Sequence, residues 1–196
     1  MQNSVATGRP AAPLSGWLKR YYFLRFAVSA LWVVGAFTIA RGSPALVAIM
    51  LVAYPAWDAV ANFVDAGRSG GLRRNPSQLL NVVVSLIAAI AVAVALGRSM
   101  NAVLVVYGAW AVLAGLFQLV TGVRRWKVSG AQWAMILSGA QSASAGFFFV
   151  TMANGADPVG IANIAPYAAF GAFYFLVSAI WLTVKNARRG ASRGAA

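Results

Sequence analysis

Two carboxylates set the chemical question in this chain. Asp58 and Asp65 stand inside the apolar run PALVAIMLVAYPAWDAVANFVDA, residues 44–66, and the whole sequence holds only three acids. Asp58, Asn62 and Asp65 fall at i, i+4 and i+7, so a helix over this run carries all three on one face. An ionisable group at the centre of a membrane helix costs about 2.5–3.5 kcal/mol on insertion scales, so it calls for a partner or a task. Three uses fit: an ion pair with Arg25 on the preceding apolar run, an ion or proton relay, or a solvated cavity without transport. The ion pair is the favoured reading, because the guanidinium fork suits a carboxylate. A short turn between the two runs makes them adjacent and antiparallel, which brings Arg25 near the depth of the acids. Other polar residues recur on helix faces. Gln78, Asn81 and Ser85 share one, Gln118 stands in a later run, and Ser138 and Gln141 mark another. They either line a polar path or form interhelical hydrogen bonds of about 0.6 kcal/mol each, and the bonds are favoured.

Much chemistry is excluded by what is missing. The chain has no Cys and no His, and all three acids are Asp. There is no thiolate ligand or nucleophile, no Ser–His catalysis and no general base of the commonest kind. No phosphate-binding glycine motif is present. No enzyme activity, metal or cofactor is expected. The net charge of +13 raises the question of nucleic acid. The cations sit in short clusters between apolar runs, so membrane topology explains them and a nucleic-acid partner is not expected.

Sixty-one per cent apolar residues and 10% charged lie far from soluble proteins, where about a quarter of residues are charged. Six apolar runs follow one another: Tyr21–Ala40, Pro44–Ala66, Leu79–Leu96, Ala102–Val123, Trp133–Met152 and Ile164–Val184. Each is near the ~20 residues that cross a bilayer as a helix. The fold class read from this pattern is an all-α integral membrane protein with six transmembrane helices. The expected division is a disordered tail over residues 1–16, a six-helix domain over 17–186 and a basic tail over 187–196. Thirteen Lys and Arg fall on one side (Arg9, Lys19, Arg20; Arg68, Arg73, Arg74; Arg124, Arg125, Lys127; Lys185, Arg188, Arg189, Arg193) and two, Arg41 and Arg98, on the other. The positive-inside rule then puts both termini in the cytoplasm of a cell inner membrane, with the basic rim against anionic lipid headgroups.

The even-numbered runs share a signature: Tyr54, Pro55, Ala56, Trp57; Tyr107, Gly108, Ala109, Trp110; and Phe170, Gly171, Ala172, Phe173. Five positions past each second aromatic stands Asn62, Gly115 or Ser178. The pattern predicts three parallel two-helix repeats about an axis near the membrane normal. Gly108, Gly115 and Gly122 recur every seven residues, as do Gly139 and Gly146. Small residues at this spacing let another backbone approach closely. Packing within one chain is the favoured reading, and contact in a homo-oligomer is the alternative.

The stretch VLVVYGAWAVLAGLFQLVTGVRRW followed by WAMILSGAQSASAGFFF resembles the HdeD-like acid-resistance membrane protein family. Gly115, Gln118, Arg124, Arg125, Trp133, Gly139 and Gly146 occupy the matching positions, and Pro44 opening the second helix fits. Gln118 departs from the pattern, where an acid is common, and Asp58 and Asp65 have no place on it. The resemblance implies an inner-membrane stress protein of paired-helix repeats with no catalytic residue. The expected function is therefore a non-enzymatic membrane protein related to stress or acid resistance. The alternative is a small ion- or proton-coupled transporter or channel using the acids of helix two.

Overall fold

A computed structural model describes residues 12–38, 42–68, 70–125 and 132–194. Six α-helices run in order: α1 Ala12–Phe37, α2 Pro44–Arg68, α3 Pro76–Leu96, α4 Met100–Arg125, α5 Gln132–Ala153 and α6 Ile161–Gly194. A short 3-10 turn, Leu72–Arg74, joins α2 to α3. No strand occurs among the described residues.

Helix ends follow local chemistry. Ser43 accepts a hydrogen bond from the Leu46 amide at 3.3 Å, with Pro44 following it where no helical N–H is needed. Ser99 caps α4 the same way through the Ala102 amide at 3.1 Å. At α6 the Asn163 side chain reaches back to the Gly160 amide at 2.7 Å. α2 ends where Gly70, at φ +98°, lets the Gly71 amide return to the Ala66 carbonyl at 2.8 Å, the glycine-terminated helix end.

Helix extends past the expected limits of the six-helix domain at both ends. α1 begins at Ala12, with Pro13 tolerated in its first turn, and the rest of the expected disordered tail, residues 1–11, lies outside the described residues. α6 continues to Gly194 rather than ending near 186. Its last stretch, KNARRGASRG, contains no proline, so no residue there lacks the N–H a helix needs. Of the charged rim, Arg9, Arg41 and Lys127 lie outside the described residues, as do the side chains of Arg124, Arg125, Arg189 and Arg193. The surroundings of Gly122 and Trp133 fall outside them too.

Five helical stretches among the described residues are long and apolar enough to cross a membrane: Pro44–Arg68, Pro76–Leu96, Met100–Val120, Ile136–Ala153 and Ile161–Arg188. α1 has the length, 26 residues, but Lys19, Arg20 and Arg25 dilute its apolar character. Large apolar side chains point outward on every helix, among them Leu31, Ile49, Ile90, Leu113, Phe147 and Trp181. The interior instead takes alanines such as Ala36, Ala59, Ala111, Ala168 and Ala179, with a few rings between them. A surface this apolar is not tolerated by a soluble monomer, and the chain is a multi-pass membrane protein.

The closest helix partners are α4 with α5, α1 with α6 and α2 with α3, followed by α3 with α4. α1 and α2 are neighbours, as their short connection requires, yet their backbones come close at few positions. Trp32 and Tyr54 meet between them with centroids 4.9 Å apart and planes tilted by 38°, and such side chains hold the two backbones away from each other. α5 and α6 are related in the same loose way.

Pro55 lies inside α2 and has no N–H to give the Leu51 carbonyl. The Tyr107 hydroxyl of α4 donates to that oxygen at 2.6 Å, deep in the core. The Trp32 indole donates to the neighbouring Met50 carbonyl at 2.8 Å. The weakened turn is thereby sealed from two sides.

Candidate functional site

The polar centre is built on Asp58, halfway along α2. Arg25 of α1 pairs with its Oδ1. Its Oδ2 accepts from Ser85 of α3 at 2.8 Å and from Asn62, one turn on, at 3.0 Å. The Asn62 amide also donates to the Asp58 backbone carbonyl at 2.9 Å. Side-chain exposure is 13% for Arg25 and 19% for Asp58, so the pair is largely withdrawn from solvent. An opposite charge and donors on both oxygens offset the cost of burying a carboxylate there.

Arg25 is anchored on its other sides too. It donates to the Tyr21 hydroxyl at 3.2 Å, and its guanidinium lies 4.2 Å from the Phe175 ring centroid of α6. Ser85 in turn accepts from the Trp110 indole of α4 at 3.0 Å. One continuous network therefore joins α1, α2, α3, α4 and α6.

Ser85 belongs to a pattern. Ser29 and the Tyr54 hydroxyl are 3.4 Å apart, and Ser142 and the Tyr167 hydroxyl 3.2 Å apart. In all three pairs a serine on an odd helix meets an aromatic on the next helix, 25 residues on. The aromatics meet one another: Trp110 stands edge-on to Tyr54 and to Tyr167, both with centroids 6.0 Å away. These rings fill the middle of the bundle.

Not every member of the aromatic signature faces inward: Tyr54, Tyr107 and Trp110 are buried, but the third pair is not. The signature sets Phe170 and Phe173 against Tyr54 and Trp57, yet these phenylalanines are 54% and 57% exposed. Tyr167, one turn earlier, takes the inward place, and Trp110 rather than Tyr107 carries the serine bond on α4. A helix repeats its face every three or four residues, so an alignment that slips by one turn keeps the same look in sequence. Ser29 and Tyr167 are site residues that the sequence reading does not single out, and Trp110 enters it only as a member of the aromatic signature. The recurrence of Ser and aromatic at 25 residues is the signal that could find them.

The remaining candidates separate. Asp65 accepts from Gln78 of α3 at 3.3 Å through Oδ2, while its Oδ1 is buried without a partner. Gln141 accepts from the Tyr174 hydroxyl of α6 at 2.8 Å. Asn81, Gln118 and Ser138 are half-buried, and none bonds to Asp58. No group of three or more acids, His or Cys suited to a metal exists among the described residues.

The glycines form a separate feature, the α4–α5 seam. A Cβ on Gly108 would stand 2.7 Å from the Gly146 carbonyl oxygen, and one on Gly139 would stand 2.8 Å from that of Gly115. Gly115 and Gly146 are equally crowded by Gly139 and Gly108. Each glycine thus faces backbone, which cannot turn aside as a side chain can.

Residues 81–151 match the family model described as a short repeat of unknown function (DUF308). The matched stretch runs from α3 through α4 into α5 and contains Ser85, Trp110, Ser142 and the four seam glycines. No curated protein and no solved structure matches the chain.

Proposed function

We propose that the chain is a non-enzymatic inner-membrane protein in which Arg25 and Asp58 form a neutral structural clamp rather than a transport site. One observation carries this reading: both Asp58 oxygens are engaged, by Arg25, Asn62 and Ser85. A carboxylate so satisfied is poorly placed to exchange a proton or a cation. The rings of Tyr54, Trp110 and Tyr167 occupy the bundle centre beside it.

Six spans with both termini cytoplasmic belong to the same proposal, with α1 as the first span. So do three two-helix repeats. The three serine–aromatic bonds support them, as does the close pairing of α2 with α3, α4 with α5 and α6 with α1, which closes a ring between successive hairpins. The match to a short repeat agrees with such a build. A role in stress or acid resistance rests on the resemblance to the HdeD-like family alone.

The test is reconstitution in liposomes under a pH gradient. We expect proton and cation flux no greater than in protein-free vesicles, and Asp58→Asn to lower thermal stability without changing flux. A flux that the wild type supports and a folded Asp58→Asn variant lacks would replace this reading with a proton- or ion-coupled transporter.

A further inference from the structure

Two glycines with positive φ shape the turn that leads from Gly70 into α3. Gly70 has φ +98°, and Gly71 has φ 90° and ψ 162°, a region almost closed to other residues. The Gly71 carbonyl then accepts from the Asn75 side chain at 2.9 Å and from the Arg74 amide at 3.2 Å. These bonds hold the 3-10 turn, in which Arg73 and Arg74 are consecutive and both exposed. The nearest acid along the chain, Asp65, accepts from Gln78 instead, and the ion pair found among the described residues is Arg25 with Asp58.

Beside the two arginines lies a cleft of about 420 Å³ bounded by Phe63, Gly70, Gly71 and Leu72. Phe63 is 57% exposed on the lipid-facing side of α2. The cleft is therefore apolar toward the bilayer and doubly cationic at its rim. That sequence of chemistry, hydrocarbon followed by anion, is the one a phospholipid presents.

We propose that this turn is a binding site for one anionic phospholipid, its phosphate on Arg73 and Arg74 and an acyl chain along Phe63 and Leu72. The inference rests on the membrane reading but not on the absence of transport. It differs from general attraction to a basic rim because Arg73 and Arg74 both line one cleft with Phe63 and Leu72.

The experiment uses the full chain in neutral detergent and counts retained lipid by native mass spectrometry. Phosphatidylglycerol is compared with phosphatidylcholine of the same chains and with inorganic phosphate as competitor. A surface cation contributes about fivefold in affinity, so Arg73→Gln with Arg74→Gln should weaken phosphatidylglycerol retention about 30-fold. Arg98→Gln, in the turn at the other end of α3, should leave it unchanged, and Gly71→Ala should weaken it while both arginines remain. Equal retention by the double variant, an equal loss in Arg98→Gln, or equal retention of phosphatidylcholine would overturn the proposal. Displacement by millimolar phosphate would assign the site to free phosphate instead. Both arginines are exposed, so the double variant should keep the wild-type unfolding temperature in lipid-free detergent. Should it not, Arg73→Lys with Arg74→Lys decides: retained charge without the fork must leave phosphatidylglycerol favoured over phosphatidylcholine, or the site is refuted.

Discussion

Gly115→Ala and Gly171→Ala are the same change in two membrane helices, and the structure assigns them opposite outcomes. At Gly115 the new Cβ would stand 2.5 Å from the Gly139 carbonyl oxygen and 2.6 Å from the Ala143 amide nitrogen. At Gly171 it would meet only the Tyr54 hydroxyl at 3.6 Å, an ordinary contact. To accept the first, α4 and α5 must part by about 0.9 Å, the gap between 2.5 Å and normal contact at 3.4 Å. Opening of 0.5–1 Å forfeits about a quarter to a half of each dispersion contact along the seam. In lipid no hydrophobic term between helices replaces it. Overpacking of this kind costs about 1–3 kcal/mol. At Gly171 the methyl group is accepted, and the better helix propensity of Ala contributes up to about 1 kcal/mol. The two variants should therefore differ by about 2–3 kcal/mol, or roughly 5–10 °C in unfolding midpoint on the scale of domains this size. Tryptophan fluorescence during heating in one detergent reads the difference directly. Equal midpoints would show that the seam is not closely packed, and a lower midpoint for Gly171→Ala would reverse the argument.

Breaking the central pair should be costly and partly recoverable. Asp58→Asn leaves Arg25 without its counter-charge and should lower stability by about 3 kcal/mol, the low end for a buried pair that keeps some exposure. Adding Arg25→Gln should recover part of the loss, and strictly additive effects in the double-mutant cycle would deny the coupling. Tyr107→Phe removes the donor to the Leu51 carbonyl and should cost about 1–3 kcal/mol. Adding Pro55→Ala, which restores a helical N–H there, should reduce that cost; an unchanged cost would mean the hydroxyl does not serve the proline break. Reporter fusions at Ala153 and Gly190 should lie on opposite sides of the membrane, and finding them on one side would remove a span from the topology.

Membrane class and most helix limits are legible in the sequence because they depend on local composition. Runs such as Leu79–Leu96 need only length and hydropathy to declare themselves, and Ser43, Ser99 and Gly70 mark helix ends through their own side chains or lack of one. The seam glycines are visible for the same reason, since a seven-residue recurrence of small side chains is a one-helix property. Arg25 and Asp58 stand out as candidates through their rarity in apolar surroundings. What the sequence leaves open is which partners each polar group finds. Ser85 could serve a polar path or a single bond, and only the approach of α3 to α2 gives its hydroxyl to Asp58. The register of the aromatics is open too, because Tyr167 and Phe170 lie one turn apart and look alike on a helical face. Their choice depends on which ring reaches Trp110 and Ser142 across the bundle, a relation between helices that no single helix encodes.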